Sequence, residues 1–396
     1  MNKKRYQLSL ALSILIITIL ACGGSNNTSR EEAAEAPPVA QQQEKESEQA
    51  VSAPTATPIP EPTNTPAPTN TPEPTNTPEP TPTPTPLPIG LSRSNPFPSS
   101  DVVSAPNWDV QILETMRGDA AWQAIQAANQ FNEPAPEGME YLLVKLHVKN
   151  TYTDNEEHSI GGGDFKVTGD RLIEYFGASV VEPDPQLDAR VFSGGEAEGW
   201  AAYLISQGEG NLILIVDELL NFSDEGLRFI ALDDGATIAV SPDLVNIQAT
   251  DSGNDRNSPA PRTEKIITED WEVLILEVIR GDEALNMVQE ANQFNEPPDE
   301  GMEYIAVKTH VRNISTEDRA TQIDGSYFET TGDANVAYDL PSVVDPAPAL
   351  DASLFPGGEY EGWIVVQAAT GETGIRLIFE PLLDFSGRNK RFISLD

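Results

Sequence analysis

The sequence has one cysteine, three histidines, and 24 basic residues against 63 acidic ones in 396 residues. A single Cys excludes an internal disulfide framework and a Cys-based zinc knuckle. The shortage of Lys and Arg leaves a formal net charge of -39. That balance excludes the clustered positive charge needed to hold nucleic acid or bare anionic lipid. No Ser sits in a nucleophile-elbow pattern, so neither a serine nor a cysteine hydrolase is expected. The apolar stretch Leu8–Leu20 falls short of the roughly 20 residues that span a bilayer. What remains is long enough for two or three ordinary domains.

The N-terminus carries an address. Asn2-Lys3-Lys4-Arg5 precedes the apolar stretch, which ends in Ile19-Leu20-Ala21-Cys22 followed by Gly23-Gly24-Ser25. This layout of basic, apolar and small residues is that of a secretory signal. Its end resembles the lipobox of bacterial lipoproteins, with the chain's only Cys at the position the chemistry requires. The resemblance implies a signal peptide over residues 1–21, cleavage before Cys22, and lipid on its sulfur and new N-terminus. Several acyl chains would give stable anchoring, which one alone does not. The plainer alternative is an ordinary signal peptide, or an uncleaved anchor, with an incidental Cys.

Residues 22–92 hold the Cys and a disordered Pro/Thr-rich stalk. An acidic, Gln-rich stretch leads into Pro62-Thr63-Asn64-Thr65-Pro66-Ala67 and its variants. Proline at this density forbids helices and ladders and favours polyproline II. At roughly 3.1 Å per residue, the stalk reaches on the order of 200 Å if fully extended. Its Thr hydroxyls are candidate sugar carriers on composition alone.

The rest of the chain is one domain written twice. At an offset of 163 residues Trp108 matches Trp271, Asn150 matches Asn313 and Phe229 matches Phe392, without a gap. Arg93, Pro96 and Pro98 likewise match Arg256, Pro259 and Pro261. The repeats are therefore 93–233 and 256–396, joined by an acidic linker at 234–255. With 8 bases against 24 acids in one and 11 against 26 in the other, neither copy is a basic partner for the other. Two units are too few for a solenoid, so each is expected to have its own core.

Each repeat reads mainly as strands. Leu142, Val144, Leu146 and Val148 alternate with Tyr141, Lys145, His147 and Lys149, and the second copy keeps the phase. Trp108–Ile112 and Leu212–Val216 read as further strands. Ser193-Gly-Gly-Glu196 and Pro356-Gly-Gly-Glu359 are turn chemistry, leading into strands at Gly199-Trp200 and Gly362-Trp363. One short helix interrupts the strands: Gly118-Asp119 supplies a break and N-cap, and Trp122, Ile125 and Ala128 share a face, as do Leu285, Val288 and Ala291. The fold class is mainly β, with two tandem β-sandwiches that each carry a short helical insert. Asn150 or Asn313 ending a strand, Asp164-Phe165 or Tyr327-Phe328, and a Gly-Gly-Glu-x-Glu-Gly stretch together resemble the uncharacterised immunoglobulin-like domain of bacterial lipoproteins. That family is related in fold to a secreted immunoprotective extracellular antigen. The resemblance implies an extracytoplasmic immunoglobulin-like sandwich and carries no established activity.

Candidate chemistry is sparse. His147 and His310 are equivalent outward positions, and His158 faces Thr321 in the other copy, so no metal-ligand spacing results. Glu137 and Glu140, repeated as Glu300 and Glu303, are the recurring carboxylate pairs; glycoside hydrolysis would need one raised and one ionised partner. They are expected to be solvated or turn-bonding, so no catalytic residue and no enzyme activity is expected. No cofactor is expected either, the one candidate being calcium at Asp251-Ser-Gly-Asn-Asp255, which lacks EF-hand spacing. Asn129-Gln130-Phe131-Asn132 recurs unchanged as Asn292-Gln293-Phe294-Asn295 and is the candidate ligand-contact loop. In the bland reading Asn129 caps the helix and Phe131 fills a gap. Trp108, Trp200, Trp271 and Trp363 are expected to begin strands and plug the core. The expected function is a non-catalytic, lipid-anchored binding or adhesion module of the bacterial cell envelope, facing the extracytoplasmic side. Its partners would be the membrane, through lipid, and an envelope protein or glycan. The alternative is a structural envelope spacer with no specific ligand.

Overall fold

The computed structural model describes residues 88–217, 226–381 and 387–396. The signal segment, Cys22 and nearly all of the stalk lie outside the described residues. Every described residue lies in one compact unit, Pro80–Asp396, which contains both repeats and every strand, helix and core cluster below.

Repeat 1 contributes β1 (Val103–Ser104), β2 (Trp108–Arg117), β3 (Met139–Asn150), β4 (His158–Gly161), β5 (Phe165–Thr168), β6 (Asp188–Val191), β7 (Glu196–Ser206), β8 (Ile213–Val216) and β9 (Arg228–Ala231). All pairings are antiparallel, in the orders β1-β2-β3-β7, β5-β8-β9 and β4-β6. Val110, Val144, Leu146, Val148 and Tyr203 of the first sheet face Phe165, Val167, Leu214, Val216 and Ile230 of the second across a buried core. This is the sandwich that alternation in β3 demands, because one face of each sheet has to be covered.

Repeat 2 builds the same object from β10 (Ile266–Ile267), β11 (Trp271–Arg280), β12 (Met302–Asn313), β13 (Thr321–Asp324), β14 (Phe328–Thr331), β15 (Ala337–Tyr338), β16 (Asp351–Leu354), β17 (Glu359–Ala369), β18 (Arg376–Phe379) and β19 (Arg391–Ser394). Its sheets run β10-β11-β12-β17, β15-β14-β18-β19 and β13-β16. β2 and β11 carry the same irregularity, a register shift at Ile112/Glu114 and at Ile275/Glu277. The residues placed there, Leu113 and Leu276, are exposed, as expected where a bulge re-aims a side chain. The architecture is two tandem immunoglobulin-like β-sandwiches, each with one helical insert.

The helices α1 (Asp119–Ala128) and α2 (Asp282–Ala291) lie on the outer face of the long sheet. The caps and the buried faces of both helices differ from the sequence expectation. The N-cap positions are Gly118 and Gly281, at φ 61° and 64° with no side-chain cap bond; Asp119 and Asp282 occupy the first turn, where a carboxylate favours the helix dipole. The buried face is Ala121 and Ile125, or Ala284 and Val288, with Ala128 and Ala291 exposed. Trp122 is half-buried and stacks on Tyr141 at 5.9 Å. Trp108 and Trp271 do begin strands inside the sandwich cores. Trp200 and Trp363 sit within β7 and β17 and are buried beneath the helices.

The repeats also pack on each other. Residues 172–174 of repeat 1 add to the edge of β16: Glu174 N–H donates to Ser353 O at 2.8 Å, Phe355 N–H donates to Leu172 O at 2.8 Å, and Ile173 bridges Leu354. Phe355 joins Ile213, Ile215, Phe229, Ala236 and Ile238 in a buried cluster. Above it the fully buried Arg93 guanidinium lies 3.8 Å from the Phe355 ring centroid and donates through Nε to Asp318 Oδ1 at 2.8 Å. Residues 234–255 take part in this packing. Ala236 and Ile238 are in the shared cluster, and a Ser241-capped turn at Pro242–Asn246 buries Leu244.

Candidate functional site

The recurring Asn-Gln-Phe-Asn run follows each helix directly. Asn129 is the C-cap of α1; its N–H donates to Ile125 O, and its Oδ1 accepts from Phe131 N–H at 3.0 Å. Asn132 turns back and clips the loop to a neighbouring segment. Its Nδ2 donates to Ile125 O and Val181 O, both at 2.8 Å, and its Oδ1 accepts from Val181 N–H at 3.0 Å. The second copy repeats this bond for bond: Asn292 Oδ1 accepts from Phe294 N–H, and Asn295 bonds Val288 O, Val344 O and Val344 N–H. The amide side chain is the group this geometry needs, since it offers two donors and an acceptor in one plane.

Between these two anchors Phe131 and Phe294 point into solvent, 82% and 81% exposed. The gap-filling role for Phe131 is therefore overturned. The clipped neighbours Val181 and Val344 are exposed as well, so each loop presents a Phe and a Val together on a backbone fixed by side-chain amides. Gln130 and Gln293 are exposed beside them. A large aromatic left in water contributes little to the fold and much to any contact that covers it. Val181 and Val344 were not singled out from the sequence. The Asn bonds that bring them beside the Phe cross 49 residues, which local periodicity does not reach.

The remaining candidates resolve into structural roles. His147 lies 3.4 Å from Glu196 and His310 lies 3.4 Å from Glu359, across adjacent strands. Lys145–Glu198, Lys149–Glu196, Lys308–Glu361 and Arg312–Glu359 complete the two ladders. The Glu-x-Glu of the glycine motif thus faces the basic side of β3 and β12, as directly opposite charges on a sheet do. His158 pairs with Asp154 at 3.0 Å and stacks on Tyr152. Glu140 Oε1 accepts from Arg117 at 2.6 Å and from Gly208 N–H at 2.8 Å. Burial pushes its carboxyl up, but the Arg117 and Gly208 bonds win and hold it below the ordinary range. Glu303 is bound the same way by Arg280 and Gly371, whereas Glu137 and Glu300 are exposed.

Glu174 is a half-buried carboxylate whose proton affinity is raised by desolvation, yet both of its oxygens are engaged. Ser353 Oγ lies at 2.9 Å from one and Lys166 Nζ at 3.4 Å from the other. In Asp251–Asp255 the acids close turns: Asp251 Oδ1 accepts from Asn254 Nδ2, and Asp255 Oδ1 accepts from Asn257 N–H. Among the described residues, no group of three or more His, Cys, Asp or Glu is placed to hold a metal ion. Also among them, no helix is long and apolar enough to cross a membrane.

With the sandwich, the helical insert and the glycine motif in place, comparison with known proteins is informative for the second repeat. Residues 269–390 match DUF4352, a domain of unknown function. The DUF4352 span runs from just before β11 to just before β19, and repeat 1 carries the corresponding elements at the fixed offset, with an isolated bridge at Tyr175 in place of β15. Similar solved structures include ycdA of Bacillus subtilis subsp. subtilis strain 168, provisionally described as a lipoprotein, at 12% identity over 33% of this chain and 38% of that one, TM-score 0.27. Another is the yjhA protein of Bacillus subtilis, at 11% identity over 35% and 99%, TM-score 0.25. A third is an uncharacterised β-sandwich protein of Clostridium difficile 630, at 10% identity over 38% and 100%, TM-score 0.24. The match to the first of these spans well under half of that protein's length. No curated protein matches the chain. The DUF4352 match and the sandwich fit an uncharacterised bacterial domain family.

Proposed function

We propose that the chain is a non-catalytic, lipid-anchored module of the bacterial cell surface that binds an envelope protein or glycan through its paired Asn-Gln-Phe-Asn loops. The observation that carries this reading is the exposure of Phe131 and Phe294 on loops that Asn129, Asn132, Asn292 and Asn295 hold rigid. Such a loop loses little conformational freedom when a ligand covers it. An exposed ring with an amide beside it suits stacking on a sugar ring or an apolar side chain. Two such loops on one chain raise the effective concentration for a ligand with repeated epitopes. Cys22 lipid and the Pro/Thr stalk would hold the pair outside the membrane.

The test uses Pro80–Asp396, melted with and without calcium against a panel of envelope glycans and peptides. A ligand that binds only the folded form raises the melting temperature by mass action. The expected result is a shift with wild type that disappears in Phe131→Ala/Phe294→Ala, whose own melting temperature falls by no more than a few degrees. A shift that survives the double substitution removes the loops from the site. No shift with any member of the panel leaves the spacer reading in possession.

A further inference from the structure

The contact between the repeats is heterologous: repeat 1 supplies a donor segment, 172–174, and repeat 2 an acceptor edge, 353–355. Because the repeats are copies, each chain also carries the two complementary surfaces unused. The second donor is Asn335-Val336-Ala337 and the second acceptor is Arg190-Val191-Phe192. Both have the conformation of their used counterparts. Leu172 and Asn335 share a left-handed backbone, φ 61° and 62°, and Val167 pairs with Tyr175 as Thr330 pairs with Tyr338. β6 pairs with β4 as β16 pairs with β13, leaving the other edge of β6 open.

Burial separates the used surface from the unused one. Phe355 is 2% exposed, whereas Phe192 is 60% exposed. Leu354 is fully buried and Val191 half-buried; Val336 is exposed where Ile173 is packed against both cores. Leu172 lies close over Gly357, while nothing lies over the equivalent Gly194.

We infer that a second copy of this chain docks here, residues 335–337 of one chain adding to the Arg190–Phe192 edge of the next and repeating the intrachain seam between chains. Three substitutions at the seam fit an intermolecular contact. In the intrachain seam Lys166, Glu174 and Ser353 meet. Their counterparts are Glu329, Ala337 and Arg190: the central acid is gone, and opposite charges now stand on the two sides. Glu329 is exposed and makes no ion pair among the described residues; Arg190, which pairs in its own chain with the exposed Glu157, would turn to or be shared with Glu329 of a second copy. Arg256 occupies the place of Arg93, on a hook that Ala260 bonds to β19 as Phe97 bonds to β9. It too has no ion-pair partner among the described residues. Docking sets Arg256 over the exposed Phe192 ring, as Arg93 lies over Phe355, with Asn155 at the position of Asp318 and Glu156 next to it in the loop. Without that contact the Phe192 ring is left in water and Arg256 is only half-buried.

A heterologous contact joins chains head to tail into rings or open rows. Exposed sheet edges are the usual template for such addition. Anchoring on one membrane would concentrate the chains and favour the contact. The inference is independent of the Phe131 and Phe294 loops.

The test uses Pro80–Asp396, which contains both surfaces and has no Cys of its own. Sedimentation velocity up to about 0.1 mM, where a weak specific contact shows itself, is expected to reveal concentration-dependent growth. Arg190→Glu, which sets like charges at the seam, should weaken it about tenfold or more. Arg190→Glu/Glu329→Arg should restore it. Val191→Cys and Val336→Cys, mixed and oxidised, should form a disulfide-linked heterodimer, and the double variant a ladder. Neither single variant should crosslink to itself. A monomer throughout that range overturns the inference. So does self-crosslinking of Val336→Cys, or association that ignores both charge changes while the melting temperature is unaltered.

Discussion

Replacing Phe131 with Ala asks whether the loop exists to hold a side chain out or to pack one in. A fully buried Phe contributes roughly 2–3 kcal/mol by area, and Phe131 is 82% exposed, so Phe131→Ala should cost only about 0.5 kcal/mol. Asn132 is a different matter despite being the smaller residue. Its amide makes three hydrogen bonds that tie the end of α1 to Val181. Each is worth roughly 0.5–1.5 kcal/mol net, and water can reach two of them, so Asn132→Ala should cost about 1–2 kcal/mol. Ile125, fully buried beneath α1, sets the upper end: Ile125→Ala should cost about 2–5 kcal/mol. Urea titration at fixed pH, with unchanged slope as the check on comparability, gives the three values. The expected order is Ile125 above Asn132 above Phe131. Repeat 2 should reproduce it with Val288, Asn295 and Phe294. A cost near 2 kcal/mol for Phe131→Ala would refute the reasoning, since the ring would then be packed.

Other perturbations read other parts of the fold. Burial pushes the Asp345 carboxyl up to about 6, against a bond from Val365 N–H, with Asp324 adding to the rise. The native state thus keeps a proton that the unfolded chain releases near its ordinary value of about 4. The stability this gives is full below about pH 4 and is lost as pH rises to about 6. Asp345→Asn should accordingly be more stable than wild type by about 2 kcal/mol at pH 7, the gap closing towards pH 4 in paired urea titrations. A Cβ on Gly199 would lie 2.3 Å from Leu187 N, and one on Gly362 2.5 Å from Leu350 Cα. Gly199→Ala or Gly362→Ala should therefore cost more than about 3 kcal/mol or prevent folding, seen in soluble yield and melting. Arg93→Met keeps the apolar stem but removes the guanidinium over Phe355 and leaves Asp318 unpaired at 22% side-chain exposure. The cost should be about 2 kcal/mol, below the figure for a fully buried broken pair, and single-transition melting should split as the repeats uncouple.

Each signal in the sequence acts over a limited range. Alternation in β3 and β12 fixed which residues face the sandwich, because the period of a strand is set by its own backbone. The same pattern left open what covers the other face. Tyr141 and Leu143 share that face with Lys145 and His147, and only the chain fold shows that a helix covers the first pair and water the second. The helical stripe misled for the same reason: Trp122 and Ala128 have the right spacing, but the sheet meets the helix at Ala121 and Ile125. The exposure of Phe131 was hidden by its type, since an aromatic after a helix usually packs.

The seam between repeats did leave a trace. Leu212-Ile-Leu-Ile-Val216 is apolar on both faces, whereas repeat 2 reads Ile375-Arg-Leu-Ile-Phe379 at the same place. An unbroken apolar run means a strand covered on both sides, and Ile213 and Ile215 are indeed buried against Phe355. Arg376 marks the copy whose outer face bears no such cluster. Resemblance between the repeats shows the shared sandwich, and the differences at residues 166, 174, 190, 213 and their counterparts show where one copy meets the other. The two copies are therefore best compared at the positions where they disagree. There the sequence departs from what a stable sandwich alone requires, and the departure is explained by what each surface touches.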